Sequence, residues 1–159
     1  MIGNDIVDLA LAQKESNWKR PGFLQKIFTL KEQLLIHNAQ NSEKMVWNLW
    51  SRKEAAYKIY NRETGIRAYI PTQLECIYEN ATLGRVICKG NTYYTKTQII
   101  GDKIHTIAVA QKLFFNQIVY LEPNNQLDKI NGIPFFTDED IIKPVSISHH
   151  GRYKAIISL

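Results

Sequence analysis

Three short segments carry residue types that could do chemistry. The first, Gly3-Asn4-Asp5-Ile6-Val7-Asp8-Leu9, sets Asp5 among apolar neighbours in a strand-like run. A carboxylate buried there is costly unless a cation or hydrogen-bond donors compensate it; a strand-end aspartate capping a turn is the plainer reading. The second is Trp50-Ser51-Arg52-Lys53-Glu54-Ala55-Ala56-Tyr57-Lys58. On a helix, Trp50, Glu54 and Lys58 follow one another at i, i+4 and i+8, so an aromatic ring, a carboxylate and an ammonium share one face. A surface Glu–Lys pair would account for the charges but not for Ala55 and Ala56, which let another backbone approach closely. The third, Pro144-Val145-Ser146-Ile147-Ser148-His149-His150-Gly151-Arg152-Tyr153, combines hydroxyls, imidazoles and a guanidinium where a strand meets a turn. That set suits a phosphate group, and it also suits a polar hairpin tip.

The elements that must position these residues follow from pattern. Residues 1–9 read as a short strand and 10–20 as a polar segment with helical tendency, broken by Pro21-Gly22. Thr29 and Glu32 form a capping-box signature for a helix reaching about residue 39. Glu32 is thereby explained as structural. Asn41-Ser42 caps a second helix over roughly 43–60, with Val46, Leu49, Trp50 and Tyr57 in its apolar stripe. After Thr64-Gly65 the texture becomes β-branched and aromatic, with strands expected at 73–79, 84–89, 92–99 and 103–111. A further strand is expected at Phe114 to Leu121. Residues 122–144 read as a connection with at most one short helix near 137–142, and Pro144 to Leu159 as a strand–turn–strand. The expected class is α+β, an antiparallel β meander with helices packed on one side, in one domain over residues 1–159.

Composition narrows the function classes. With 45% apolar residues in 159, a sizeable core can form. No apolar run approaches the roughly 18 residues of a membrane span, and the first residues lack the basic region of a secretory signal. Cys76 and Cys88 have no metal-type spacing, which fits a cytoplasmic setting. A net charge of +5 favours anionic partners without choosing among nucleic acid, phosphorylated cofactors and acidic proteins. Lys14, Lys19, Arg20 and Lys26 cluster around Trp18, either as a solvated helix face or as a docking surface.

Taken together, the three segments resemble the motifs of the 4′-phosphopantetheinyl transferase superfamily. Gly3-Asn4-Asp5 resembles its G-x-D motif, and Asp5-Ile6-Val7-Asp8 the D-I-V-E of its acyl-carrier-protein-synthase branch. Phe28-Thr29-Leu30-Lys31-Glu32 is similar to F-[ST]-x-x-E. Residues 50–58 match W/F-x-x-K-E-A-x-x-K fully, and Ser146, Ser148, His149 and Tyr153 match S-x-S-H-x-x-x-Y. The resemblance implies transfer of phosphopantetheine from coenzyme A to a serine of an acidic acyl or peptidyl carrier protein, as in fatty acid biosynthesis, with release of 3′,5′-ADP. It implies Mg²⁺ held by Asp5 and Glu54, with Lys58 neutralising phosphate charge and Glu54 as the base. Ser148 and His149 would hold the adenosine 3′-phosphate, and Thr64-Gly65 resembles a loop whose backbone approaches the cofactor. His105, in the strand-like run 104–110, competes with His149 for the phosphate.

Two departures stand beside the resemblance. Val7 occupies the position of a third acidic ligand in the multidomain branch, which places this chain with the single-domain branch. The chain is longer than that branch, so either a homotrimer with cofactor at subunit interfaces or a second lobe in one chain would complete the site. The alternatives are an inactive carrier-binding module and a basic nucleic-acid-binding domain using Trp18, Tyr93 and Tyr94; no recognisable nucleic-acid motif supports the latter.

Overall fold

The computed structural model describes residues 1–122, 127–130, 132–139 and 141–159. Strand β1 (Ile2–Asp8) leads directly into α1 (Leu9–Glu15), whose first turn is capped by the Asp8 side chain accepting from Ala10 N. A short α2 (Phe23–Ile27) precedes α3 (Leu30–Asn38), which begins with the expected capping box: Thr29 Oγ1 accepts from Glu32 N, and Glu32 Oε2 accepts from Thr29 N at 2.7 Å. The long helix α4 (Ser42–Thr64) starts at Asn41, whose side chain accepts from Lys44 N, and outruns its expected end near 60. It stops only at Gly65, which takes the left-handed conformation (φ 71°) that glycine adopts at low cost. No helix among the described residues is long and apolar enough to cross a membrane.

Four strands then form the expected meander: β2 (Leu74–Tyr78), β3 (Leu83–Cys88), β4 (Asn91–Ile100) and β5 (Lys103–Val109). β1 joins antiparallel to β5, with Ile2 opposite Val109 and Asp8 opposite Lys103, giving the order β1-β5-β4-β3-β2. Alternation along these strands divides the two faces. One face carries Val7, Ile104 and Ala108 against Ala55, Ala56 and Ile59 of α4. The other carries Ile2, Ile107 and Val109 in a smaller core with Ile157. The fold is thus α+β, an antiparallel meander with helices on one side, as its sequence implies. Gly3 shows why α4 lies so close to β1: a Cβ there would collide with the Ala55 carbonyl oxygen. The small residues after Glu54 receive a backbone, as their size suggests.

Downstream of β5 the structure corrects two expectations. The strand expected over Phe114 to Leu121 is a 3₁₀ segment, Lys112–Gln117, followed by the two-residue strand β6 (Val119–Tyr120); Phe114 and Phe115 pack onto the smaller core instead of alternating across a sheet. The helix expected near 137–142 is absent from the described residues there. β7 (Asp128–Ile130) and β8 (Ile133–Asp138) form a hairpin, β9 begins at Ile141, and residue 140 lies outside the described residues. Ile133, Phe135, Phe136 and Thr137 favour strand, while Gly132 and Glu139, both at positive φ, supply the turns. β9 (Ile141–His150) and β10 (Tyr153–Ser158) complete a second sheet, β6-β10-β9-β8-β7.

Candidate active site

The second sheet meets the first through side chains. The outward N–H groups of Asn4, Ile6 and Asp8 on β1 donate, each at 2.9 Å, to Ser146 Oγ, Ser148 Oγ and His150 Nδ1 of β9. Both strands advance two residues per step, so one face of β9 supplies an acceptor for every second amide of the β1 edge. An edge that would otherwise lack partners is closed. The residue between the first two of these amides, Asp5, points to the α4 side of the sheet.

There Asp5 and Glu54 line one cleft of about 260 Å³, together with Trp47, Trp50, His149 and His150. Lys58 lies one turn along α4 from Glu54, with Nζ 4.0 Å from Asp5 Oδ1. Two of its three hydrogens go to carbonyl oxygens, Asn4 O at 2.6 Å and Ile147 O at 3.1 Å, so the ammonium also braces β1 against β9. The i, i+4, i+8 face of the sequence is therefore the face that meets β1.

Burial dominates the electrostatics. It pushes the Asp5 carboxyl up to about 7, against the pull of Lys58, while the charge of Glu54 raises it further and a hydrogen bond from Ser148 lowers it. Glu54 is also raised, by burial first, with Tyr69 and Lys58 opposing. The buried Tyr69 hydroxyl lies beside this carboxylate but outside strict hydrogen-bond geometry, and its own ionisation is strongly disfavoured by burial and by Glu54. Lys58 is lowered by the same desolvation, partly offset by the two acids. Two oxygen-donor side chains whose charged forms are disfavoured by burial fit a hard divalent cation, which would supply the missing positive charge. Among the described residues no cluster of three His, Cys, Asp or Glu side chains is poised for a metal.

The other sequence-predicted residues separate. His149 is exposed and lines the cleft. Ser148 is buried beneath it, bonded to Ile6 N and Asp5. His105 lies on the opposite face of the sheet, its Nε2 accepting from Asn4 Nδ2, and burial holds the imidazole down to about 4. Thr64 and Gly65 do not line the cleft: they are exposed at the far end of α4, where Thr64 Oγ1 bonds the Tyr60 carbonyl. Asp8 is fully engaged as a joint. Arg152 grips both of its oxygens, at 2.8 and 2.7 Å, and reaches on to Asp102. Glu32, read as structural, is that and more, since its buried carboxylate pairs with Lys53 Nζ at 2.7 Å and accepts from Cys76 N at 2.6 Å.

Sequence reasoning missed Tyr69 and Trp47. Tyr69 sits in the loop after α4 and returns over its face, its ring 6.0 Å from Trp50 and 4.8 Å from Tyr57. No local pattern announces such a return. His150 was visible as the second half of a His-His pair. Beside the cleft, and sharing Ser16 with it, a groove of about 570 Å³ is lined by Lys14, Trp18 and Lys19.

Comparison with known proteins follows the same outline. The model of the 4′-phosphopantetheinyl transferase superfamily matches residues 1–109, from β1 to the end of β5. The holo-[acyl-carrier-protein] synthase of Caldanaerobacter subterraneus subsp. tengcongensis is 32% identical over 89 residues, 56% of this chain and 68% of that protein. Among solved structures, holo-[acyl-carrier-protein] synthase from Neisseria meningitidis aligns with a TM-score of 0.54 at 20% identity, covering 70% of this chain and 97% of the other. The Thermotoga maritima synthase aligns at 0.53 and 14% identity, over 89% and 83%. An ACPS–CoA complex from Chronobacterium ammoniagenes aligns at 0.52 and 16%, over 67% and 93%. At these identities the structural likenesses speak for the fold. The family match ends before β9, so Ser146, Ser148 and His149 lie outside it.

Proposed function

This chain belongs to the 4′-phosphopantetheinyl transferase superfamily, and from that premise we propose that it moves the 4′-phosphopantetheine group of coenzyme A onto a serine of an apo acyl carrier protein. The observation that carries the reading is the convergence of Asp5 and Glu54, from the start and the middle of the matched region, in one desolvated cleft. The chemistry of the relative from Caldanaerobacter and the coenzyme A of the Chronobacterium complex supply the substrate classes.

In this reading Asp5 and Glu54 hold Mg²⁺. Bound there, the ion supplies electrostatic stabilisation of charge on the pyrophosphate. Lys58, braced by two carbonyls, fixes a further positive charge beside the acids. The carrier serine oxygen attacks the phosphorus nearest the pantetheine arm, the phosphoanhydride bond breaks, and 3′,5′-ADP departs. The serine proton goes to Glu54. In this reading His149, exposed at the rim of the cleft, meets the adenosine 3′-phosphate. Trp47 and Trp50 line the cleft with aromatic surface. The remaining contribution is positioning.

The groove with Lys14, Trp18 and Lys19 continues from the cleft through Ser16, and its cations suit an acidic carrier. Residues 1–159 act as one transferase domain in a cytoplasmic setting, where the buried free thiols of Cys76 and Cys88 stay reduced. His149 reaches the cleft from the same chain as Asp5 and Glu54. Mass spectrometry of an apo carrier protein incubated with this protein, coenzyme A and Mg²⁺ tests the reading. A phosphopantetheine mass gain on the serine, lost when Mg²⁺ is chelated, is the expected result; unmodified carriers across several pathways would refute it.

A further inference from the structure

Ser148 stands where the sequence pattern suggests a phosphate ligand, but its hydroxyl is committed elsewhere. Oγ accepts from Ile6 N at 2.9 Å and donates to Asp5 Oδ1 at 3.2 Å. A serine hydroxyl has one proton to give. With that proton on Asp5 and the residue 6% exposed, little remains for a cofactor phosphate. Ser146, two residues earlier on the same face, provides a natural counterpart. Its Oγ accepts from Asn4 N at 2.9 Å and donates to Asn4 Oδ1 at 2.7 Å. The two serines hold successive amides of the same strand edge and differ in where the proton goes, to an amide in one case and a carboxylate in the other.

We infer that Ser148 is a positioning residue for Asp5 rather than a ligand of the coenzyme A 3′-phosphate. This rests on the reading above, that Asp5 and Glu54 hold a divalent cation. The Ile6 amide fixes the hydroxyl relative to β1, and the hydroxyl fixes one carboxylate oxygen of Asp5. The carboxylate then enters cation binding with its rotamer already chosen, which lowers the ordering cost of forming the site. Groups that orient a metal-binding carboxylate in this way typically change metal affinity about 10–100-fold when removed.

The test is Mn²⁺ binding to the free protein, followed by electron paramagnetic resonance, for wild type, Ser148→Ala, Ser148→Thr and Ser146→Ala. Circular dichroism checks folding. Ser148→Ala is expected to weaken Mn²⁺ binding about tenfold, with Ser148→Thr restoring it and Ser146→Ala leaving it within about twofold. In transfer assays, Ser148→Ala is expected to raise the Mg²⁺ requirement while leaving the preference for coenzyme A over 3′-dephospho-coenzyme A unchanged. If the alanine variant fails to fold, Ser148→Cys fills the same space with a weak donor and carries the same expectation. Wild-type Mn²⁺ affinity in Ser148→Ala (or in Ser148→Cys where it stands in), or a collapsed preference for the 3′-phosphate, would overturn the inference alone. A wild-type protein that neither binds Mn²⁺ nor modifies any carrier would overturn the underlying reading, and the inference with it.

Discussion

Lys53 and Glu54 are neighbours on α4, yet they belong to two regions that treat charge in opposite ways. Lys53 turns into the protein and meets Glu32 in a knot whose side chains are both 0% exposed. There the ammonium also donates to Ile27 O and Pro71 O, and the carboxylate accepts from Thr29 N and Cys76 N. Each charge has a partner of opposite sign and further hydrogen bonds, which is how a buried ion pair becomes tolerable. Glu54, about 100° further round the helix, turns toward Asp5. In the cleft two acids share one lysine, which stands 4.0 Å from Asp5, and burial raises the proton affinity of both. The knot ties α3, α4 and β2 together and leaves nothing for a ligand. The cleft leaves an electrostatic deficit that a cation can fill. Acid and lysine occur in both, so it is the completeness of their partnering that separates scaffold from site.

The largest effect that would test this contrast lies in the knot. Lys53→Met leaves Glu32 buried without its counter-charge and is expected to cost about 3–5 kcal/mol of stability, read as a lowered urea midpoint. Replacing both partners, as Glu32→Leu/Lys53→Met, is expected to recover part of that loss; the recovery stays incomplete because Thr29 N and Cys76 N lose their acceptor. A single-variant loss below about 1 kcal/mol would mean the pair is no more than a surface bridge in effect.

Glu54→Gln should do the reverse. It is expected to reduce transfer to the carrier at least about a hundredfold, with the urea midpoint unchanged or raised, because a neutral amide replaces a carboxylate that burial disfavours. Loss of stability comparable to that of Lys53→Met would erase the distinction between the two regions.

The smallest effect is a pH dependence confined to the cleft. The folded-state value for Asp5, about 7, lies above its ordinary 3.8. Between those values the unfolded chain has released the proton that the folded chain retains, so stability falls as pH rises from about 4 to about 7. In chelator, this decline is expected to be at most a few kcal/mol. Asp5→Asn should flatten the curve and leave the variant more stable than wild type at pH 8. Thermal melts across pH, with and without Mg²⁺, check both points. A wild-type curve that rises over this range would show that Asp5 is as well partnered as Glu32.

Much of this was legible in the sequence where the signal was local. The capping box at Thr29 and Glu32, the face shared by Trp50, Glu54 and Lys58, and the four strands of the meander depend on residues a few positions apart, and all three formed. The misses have non-local causes. Phe114 and Phe115 have strand-like side chains, but a waiting apolar patch from Ile107 and Val109 claims them. The segment before Ile141 is rich in turn formers, but the run from Ile133 to Asp138 pairs with β7 through its first residues and with β9 from Phe135 onward, and becomes a strand. Ser148 was legible as a member of the site, though not what its proton does, since that depends on the backbone of Ile6, 142 residues away.

By itself the sequence determined which groups are present and which share a helix face, because helical geometry fixes that within two turns. It also carried the motifs that mark the family. Only the tertiary structure decided that β9 lies across the β1 edge, that His149 joins the cleft while His105 stays behind the sheet, and that Lys53 is sealed while Lys58 faces the acids. Those outcomes depend on how far each group is removed from water and on which distant amides and carbonyls it meets. Desolvation is a property of the packed molecule, and no spacing along the chain encodes it.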